Sequence, residues 1–173
     1  MLHGARPQRI LLPVNVWFVT LTLAVALAFN LLPWNDMTGL PDMLALVLTF
    51  WAVQQPRKVS VEVGFVLGLV MDVGNGTLMG QHALAYAVLT FVANALSRRL
   101  LWFQPRHQAL HVLFLLLGCQ VVMLIARMIA GSGFPGLLYF LGSFIGAALW
   151  PAAVAVLLAP QRRPESVDEN RPI

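Results

Sequence analysis

Charge is what this sequence has least of. Of its 173 residues only 10% are charged, whereas 59% are hydrophobic and the mean hydropathy is +0.78. A soluble domain carries about a quarter charged residues. This chain lacks the polar surface to cover a water-soluble globule, and it reads as an integral membrane protein. Cysteine is nearly absent as well. The single Cys119 excludes an intrachain disulfide and any cysteine-built zinc or iron–sulfur site. Within "LLLGCQVVML" it reads as a small buried hydrophobe rather than a reactive thiol. The sequence also has no Walker loop, no dinucleotide fingerprint, no HExxH and no GxSxG elbow. Nothing in it builds an enzyme, and no cofactor or metal is expected.

What the sequence does have is long apolar runs. A helix needs about 20 mostly apolar residues to cross a bilayer, and six stretches qualify or nearly do: Ile10 to Leu32, Leu40 to Val53, Val59 to Met79, Gln81 to Phe103, Gln108 to Ala130 and Phe134 to Ala159. The second is too short to span comfortably. It must begin earlier, thin the bilayer or lie among its neighbours. The third is broken by "GNG". The predicted fold is therefore an all-α integral membrane bundle of about six transmembrane helices. It occupies residues 10–159, between a short N-terminal segment (1–9) and a polar tail (160–173) that reads as disordered.

The basic residues follow the same layout. Ten of the eleven Lys and Arg fall before the first span, between the second and third, between the fourth and fifth, or after the sixth. With six spans these places share one side, which is the positive-inside pattern and predicts cytoplasmic termini. The exception is Arg127. Topology thus accounts for the sequence pI of about 10.2, and a nucleic-acid partner is not needed to explain it.

Asp72 is the residue that demands a reason. It lies in "GFVLGLVMDVGNGTLMG", Gly64 to Gly80, among apolar residues and glycines, where a carboxylate is costly. Gly64, Gly68 and Asp72 recur every four residues, so they share a helix face on which another helix can approach closely. At the carboxyl end of its helix the acid needs donors. Candidates are the Gly74–Gly76 turn, Asn75, Thr77, a neighbouring helix and, at similar depth, Arg127. A structural or partner-docking role is favoured over a proton relay, because no second acid lies deep in the apolar spans. Glu62, at the start of the third span, reads as structural.

Gly142 and Gly146 form a second close-packing pair ahead of Pro151, which would free a carbonyl and kink the sixth helix. Internal packing and a groove for another protein's helix are both open readings of that face. His107 and His111 have helical spacing, but nothing evident joins them as metal ligands, so they read as an interfacial pair. His82 is a candidate contact for the "GNG" turn. Trp34, Trp51 and Trp102 fall near span ends, as an aromatic belt requires, while Trp17 and Trp150 read as packing residues.

The segment "PRKVSVEVGFVLGLVMDVGNGTLMGQHAL", Pro56 to Leu84, resembles the signature region of the bacterial rod-shape-determining MreD family. "PDMLALVLTFWAV", Pro41 to Val53, and "AALWP", Ala147 to Pro151, are similar to further family segments. The resemblance implies a non-enzymatic scaffold of the inner membrane. It would bind MreC by docking its transmembrane helix. Through MreC it would connect to MreB, RodA and the elongation-specific penicillin-binding protein in peptidoglycan synthesis. It adds Asp42 and Gly80 to Gly68 and Asp72 as candidate positions. The family also resembles the substrate-binding subunits of energy-coupling-factor transporters. That implies an alternative, a small-molecule (vitamin-type) binding subunit in which Asp72, Asn75 and His82 line a pocket.

Overall fold

The computed structural model describes residues 15–33 and 39–161. Within them the chain forms six α-helices and no strand: α1 (Val16–Asn30), α2 (Met43–Gln54), α3 (Val61–Asn75), α4 (Gln81–Leu100), α5 (Pro105–Ile129) and α6 (Leu141–Leu158). A 3₁₀ turn, Leu137–Phe140, leads into α6 and another, Ala159–Gln161, follows it. Each expected span contains one helix. The segment 1–9, the start of the first span, Trp34 and the tail after Gln161 lie outside the described residues.

The helix ends follow local chemistry. Asn15 caps α1 by accepting from the Trp17 N–H at 3.0 Å, and Asp42 caps α2 by accepting from the Ala45 N–H at 2.8 Å. Pro105 opens α5, where a missing N–H does no harm. The "GNG" break stops α3, with Gly76 in the left-handed region at φ +60°. Near the α3 start, Ser60 donates to the Glu62 carboxylate, a local structural contact. Helix α6 runs through Pro151 without interruption.

The short second segment lies among its neighbours, one of the three arrangements its length allows. At twelve residues, nine of them buried, α2 is the middle of the bundle and packs on α1, α4, α5 and α6. Phe50 and Trp51 meet edge to face at 4.9 Å there, and Phe50 also faces Trp150 at 6.0 Å. The indole N–H of Trp51 donates to Thr22 Oγ1 at 2.8 Å, and that of Trp150 donates to Gln108 Oε1 at 3.1 Å. This corrects the aromatic assignment. Trp51 is fully buried rather than part of a belt, and Trp17 is 82% exposed rather than a packing residue. An apolar character on every side of α2 leaves its sequence with no period by which to recognise its depth.

Helix α3 packs mainly on α4, while α4, α5 and α6 follow as antiparallel neighbours. The outer surface is apolar: Leu21, Val25, Phe65, Val66, Phe91 and Phe114 are all exposed. Two helical segments, Pro105–Ile129 and Leu137–Gln161, are long and apolar enough to cross a membrane, with hydropathies of 2.4 and 2.0. The alternating helices put the Arg57–Lys58 and Arg98–Arg106 connections at one end of the bundle. The ends of α1, α3 and α5 and the starts of α2 and α4 gather at the other.

Candidate functional site

At that second end lie the buried Asp72 and the half-buried Asp42. Asp72 sits on the last turn of α3 and is 1% exposed. Its carboxylate reaches across to the start of α4, whose N-cap is Gly80 and therefore has no side chain to cap the helix. The Gly80 N–H donates to Oδ2 at 2.8 Å, the His82 N–H to Oδ1 at 2.9 Å and the Ala83 N–H to Oδ2 at 3.3 Å. Thr77 Oγ1 and His82 Nδ1 add bonds to Oδ1 at 3.0 and 2.8 Å. Asp72 thus caps a helix other than its own. The α4 macrodipole favours the negative charge that the end of α3 opposes. Gly80 holds φ +99°, a conformation that disfavours side chains, although a Cβ there would meet open space.

Of the candidate donors, Arg127 is not used: the carboxylate is taken up by the α3–α4 corner, and the nearest ring nitrogen is His82 Nδ1 at 2.8 Å. His82 is consequently more than a contact for the turn. Sequence reasoning had named Thr77 and a neighbouring helix as donors, and both are used.

Asp42 is held by three bonds. Oδ1 accepts from Asn30 Nδ2 at 2.6 Å and from the Ala45 N–H, and Oδ2 accepts from the Tyr86 hydroxyl at 2.7 Å. Asn30 Oδ1 in turn accepts from the Met43 N–H at 3.1 Å. One carboxylate therefore ties α1, the start of α2 and α4 together. Asn30 and Tyr86 escaped notice because nothing local marks them; a buried Tyr needing an acceptor was the one available hint.

The glycine faces turn inward. A Cβ on Gly64 would stand 2.7 Å from Thr90 Oγ1 and the Tyr86 carbonyl, and one on Gly68 would stand 2.5 Å from the Ala83 nitrogen. Gly142 meets the Leu40 carbonyl at 2.5 Å, and Gly146 meets Leu116 at 2.9 Å. For Gly142 and Gly146, internal packing is the reading the geometry supports. The Gly64–Gly68 face is filled by α4, so neither pair forms an open groove. Pro151 lies in the later part of α6, beyond the Gly142–Gly146 pair.

Between the two acids opens a cavity of about 730 Å³. Its polar lining includes Asn30, Asp42, Asn75, Gln81, Gln120 and Arg127, with His82 and Tyr139. Of the three residues expected around a pocket, Asn75 and His82 line it and Asp72 sits behind them. The polar groups are more numerous than the sequence led one to expect, because four helices and the segments that lead into α2 and α6 contribute at one level. Gln120 is already used, donating to the Tyr139 carbonyl at 3.1 Å and accepting from Ser143 Oγ at 2.6 Å. At the opposite end, the His111 ring lies 5.2 Å from that of Phe103 and bonds to the His107 carbonyl. No cluster of metal-ligating side chains occurs among the described residues.

Residues 8–161 match the family model of the rod shape-determining protein MreD. The chain is also 32% identical over 142 residues to the rod shape-determining protein MreD of Haemophilus influenzae, covering 78% of this chain and 85% of that one. No solved structure matches. A family match over nearly the whole bundle, together with this relative, means that the chain belongs to the MreD family.

Proposed function

We propose that the chain is a non-enzymatic, multi-pass scaffold of the bacterial inner membrane that maintains rod shape by binding MreC and coupling it to peptidoglycan synthesis. Family membership supports the role in rod-shape determination, and it is the observation that carries the reading. The apolar exterior supports the membrane setting, since a soluble protein rarely exposes so much contiguous apolar surface. The basic connections gathered at one end support cytoplasmic termini. Through MreC the scaffold would reach MreB, RodA and the elongation-specific penicillin-binding protein.

Because the glycine faces are filled from within, the surface offered to the MreC helix belongs to an outward face. Helix α3, which packs mainly on α4, presents Phe65, Val66, Val70 and Val73 outward. A photo-crosslinking residue at Val66 or Val70, followed by gentle-detergent purification, tests this reading. The expected result is a crosslink to MreC and enrichment of the elongation synthases over a control membrane protein. Failure to enrich MreC would overturn the scaffold. The 730 Å³ cavity is the observation that favours the second reading, a small-molecule-binding subunit of a transporter. Recovery of an ATPase pair with a coupling subunit, and no wall machinery, would support it.

A further inference from the structure

The cavity has a chemical bias. Its two neighbouring carboxylates already have partners: Asp42 accepts from Asn30, Ala45 and Tyr86, and Asp72 from Thr77 and the start of α4. The pairing of Asp72 with His82 leaves Arg127 as the charged side chain on the wall with no carboxylate partner among the described residues. Other donors beside it are also unused. Gln81 lines the cavity, and its side-chain amide makes no hydrogen bond to another described residue. Asn75 is an exposed residue on the same wall, and the Tyr139 hydroxyl reaches only the sulfur of Met123, at 3.8 Å. These donors face the cavity and are available to a ligand within it.

We propose that this cavity binds a phosphate-bearing polar ligand, with Arg127 on the phosphoryl oxygens and Asn75, Gln81 and Tyr139 supplying further hydrogen bonds. A guanidinium, two amides and a phenol offer more donors than a single carboxylate can accept, whereas a phosphate ester has acceptors to match. The volume lies in the range of small-molecule sites and exceeds what a bare ion needs. Phe29, Leu31, Leu40, Met71 and Met123 give the cavity apolar walls for a carbon-rich portion of the ligand. The same chemistry is carried by a phospholipid headgroup and by a soluble phosphate ester. The site does not depend on MreC or on a transporter partner.

The test uses the full chain, purified in detergent and stripped of phospholipid. Binding of dioctanoyl phosphatidylglycerol and of glycerol 3-phosphate is titrated by calorimetry. Saturable, one-site binding is expected for at least one of them. Binding of the lipid alone identifies a headgroup site, and binding of the glycerol phosphate identifies a site for soluble esters. Arg127→Gln should weaken the binding about tenfold or more, as loss of a charged hydrogen-bonding partner does. Arg106→Gln, at the opposite end of the bundle, should leave it unchanged. Should Arg127→Gln fail to fold, Asn75→Leu decides the matter: its side chain is exposed, so the fold should survive and the binding should still fall. Non-saturable uptake of both probes, or unchanged binding by a folded Arg127→Gln or Asn75→Leu, would overturn the proposal.

Discussion

The corners of the molecule around Asp42 and Asp72 use one device at two ranges. Each holds a carboxylate at the start of a helix whose backbone N–H groups need an acceptor. Asp42 caps its own helix, α2, three residues ahead of its backbone donor Ala45. Asp72 caps α4 from the end of α3, eight to eleven residues before its backbone donors. The local cap needs only a turn of chain. The remote cap needs α3 and α4 already side by side, which Gly64 and Gly68 permit by admitting the α4 backbone at a distance that any Cβ would block. The glycines and the acid are therefore parts of one arrangement.

That difference predicts an order of effects. Asp72→Ala should be the most damaging, because it leaves the N–H groups of Gly80, His82 and Ala83 without their acceptor at a buried corner. At about 1–3 kcal/mol for each stranded group, the total should reach roughly 3–5 kcal/mol even after partial relaxation. Thermal unfolding of the purified protein in detergent would show it, and a change under about 1 kcal/mol would contradict the remote cap. Asp42→Ala should follow, at about 2–4 kcal/mol, since it removes a cap and strands the Asn30 amide and the Tyr86 hydroxyl. Tyr86→Phe should remove about 1 kcal/mol of that on its own. In the double mutant the two losses should fall short of additive, and full additivity would mean that the 2.7 Å bond contributes nothing. A comparably small effect belongs to Gly80→Ala. It should cost about 1–2 kcal/mol through its left-handed φ alone, with no steric clash, so that Gly80→Ala and Gly80→Asn differ in favour of Asn.

The same contrast explains what the sequence revealed. The six helices followed from apolar runs and breakers, because helix formation in such a chain is a local matter of length, caps and glycines. Asp72 stood out as an anomaly, and its need for donors could be stated in advance. Arg127 was the wrong partner because similar depth does not fix proximity, and the α4 backbone is nearer. An acid just ahead of an apolar run is an N-cap signal, yet Asp42 was singled out only by resemblance. Its bond to Tyr86, 44 residues away, has no sequence signature at all. The burial of Trp51 was hidden for a related reason. Helix α2 is apolar on all sides, so no polar stripe distinguishes a central helix from a peripheral one. The cavity draws its walls from four helices and the segments that lead into α2 and α6, and only their assembly brings Asn75, Gln81, Arg127 and Tyr139 to one level.

Helix α2 carries a consequence for how the protein is made. It is the second helix to leave the ribosome, yet three of its four packing partners, α4, α5 and α6, are synthesised after it. Most of its twelve residues must wait in a provisional environment until the last helix arrives, and only then does the centre of the bundle close. Chains truncated before α6 should accordingly leave α2 open to proteases or holding factors, whatever the quality of the α3–α4 pair. For this molecule, a helix synthesised well after α2 completes the environment that α2 occupies.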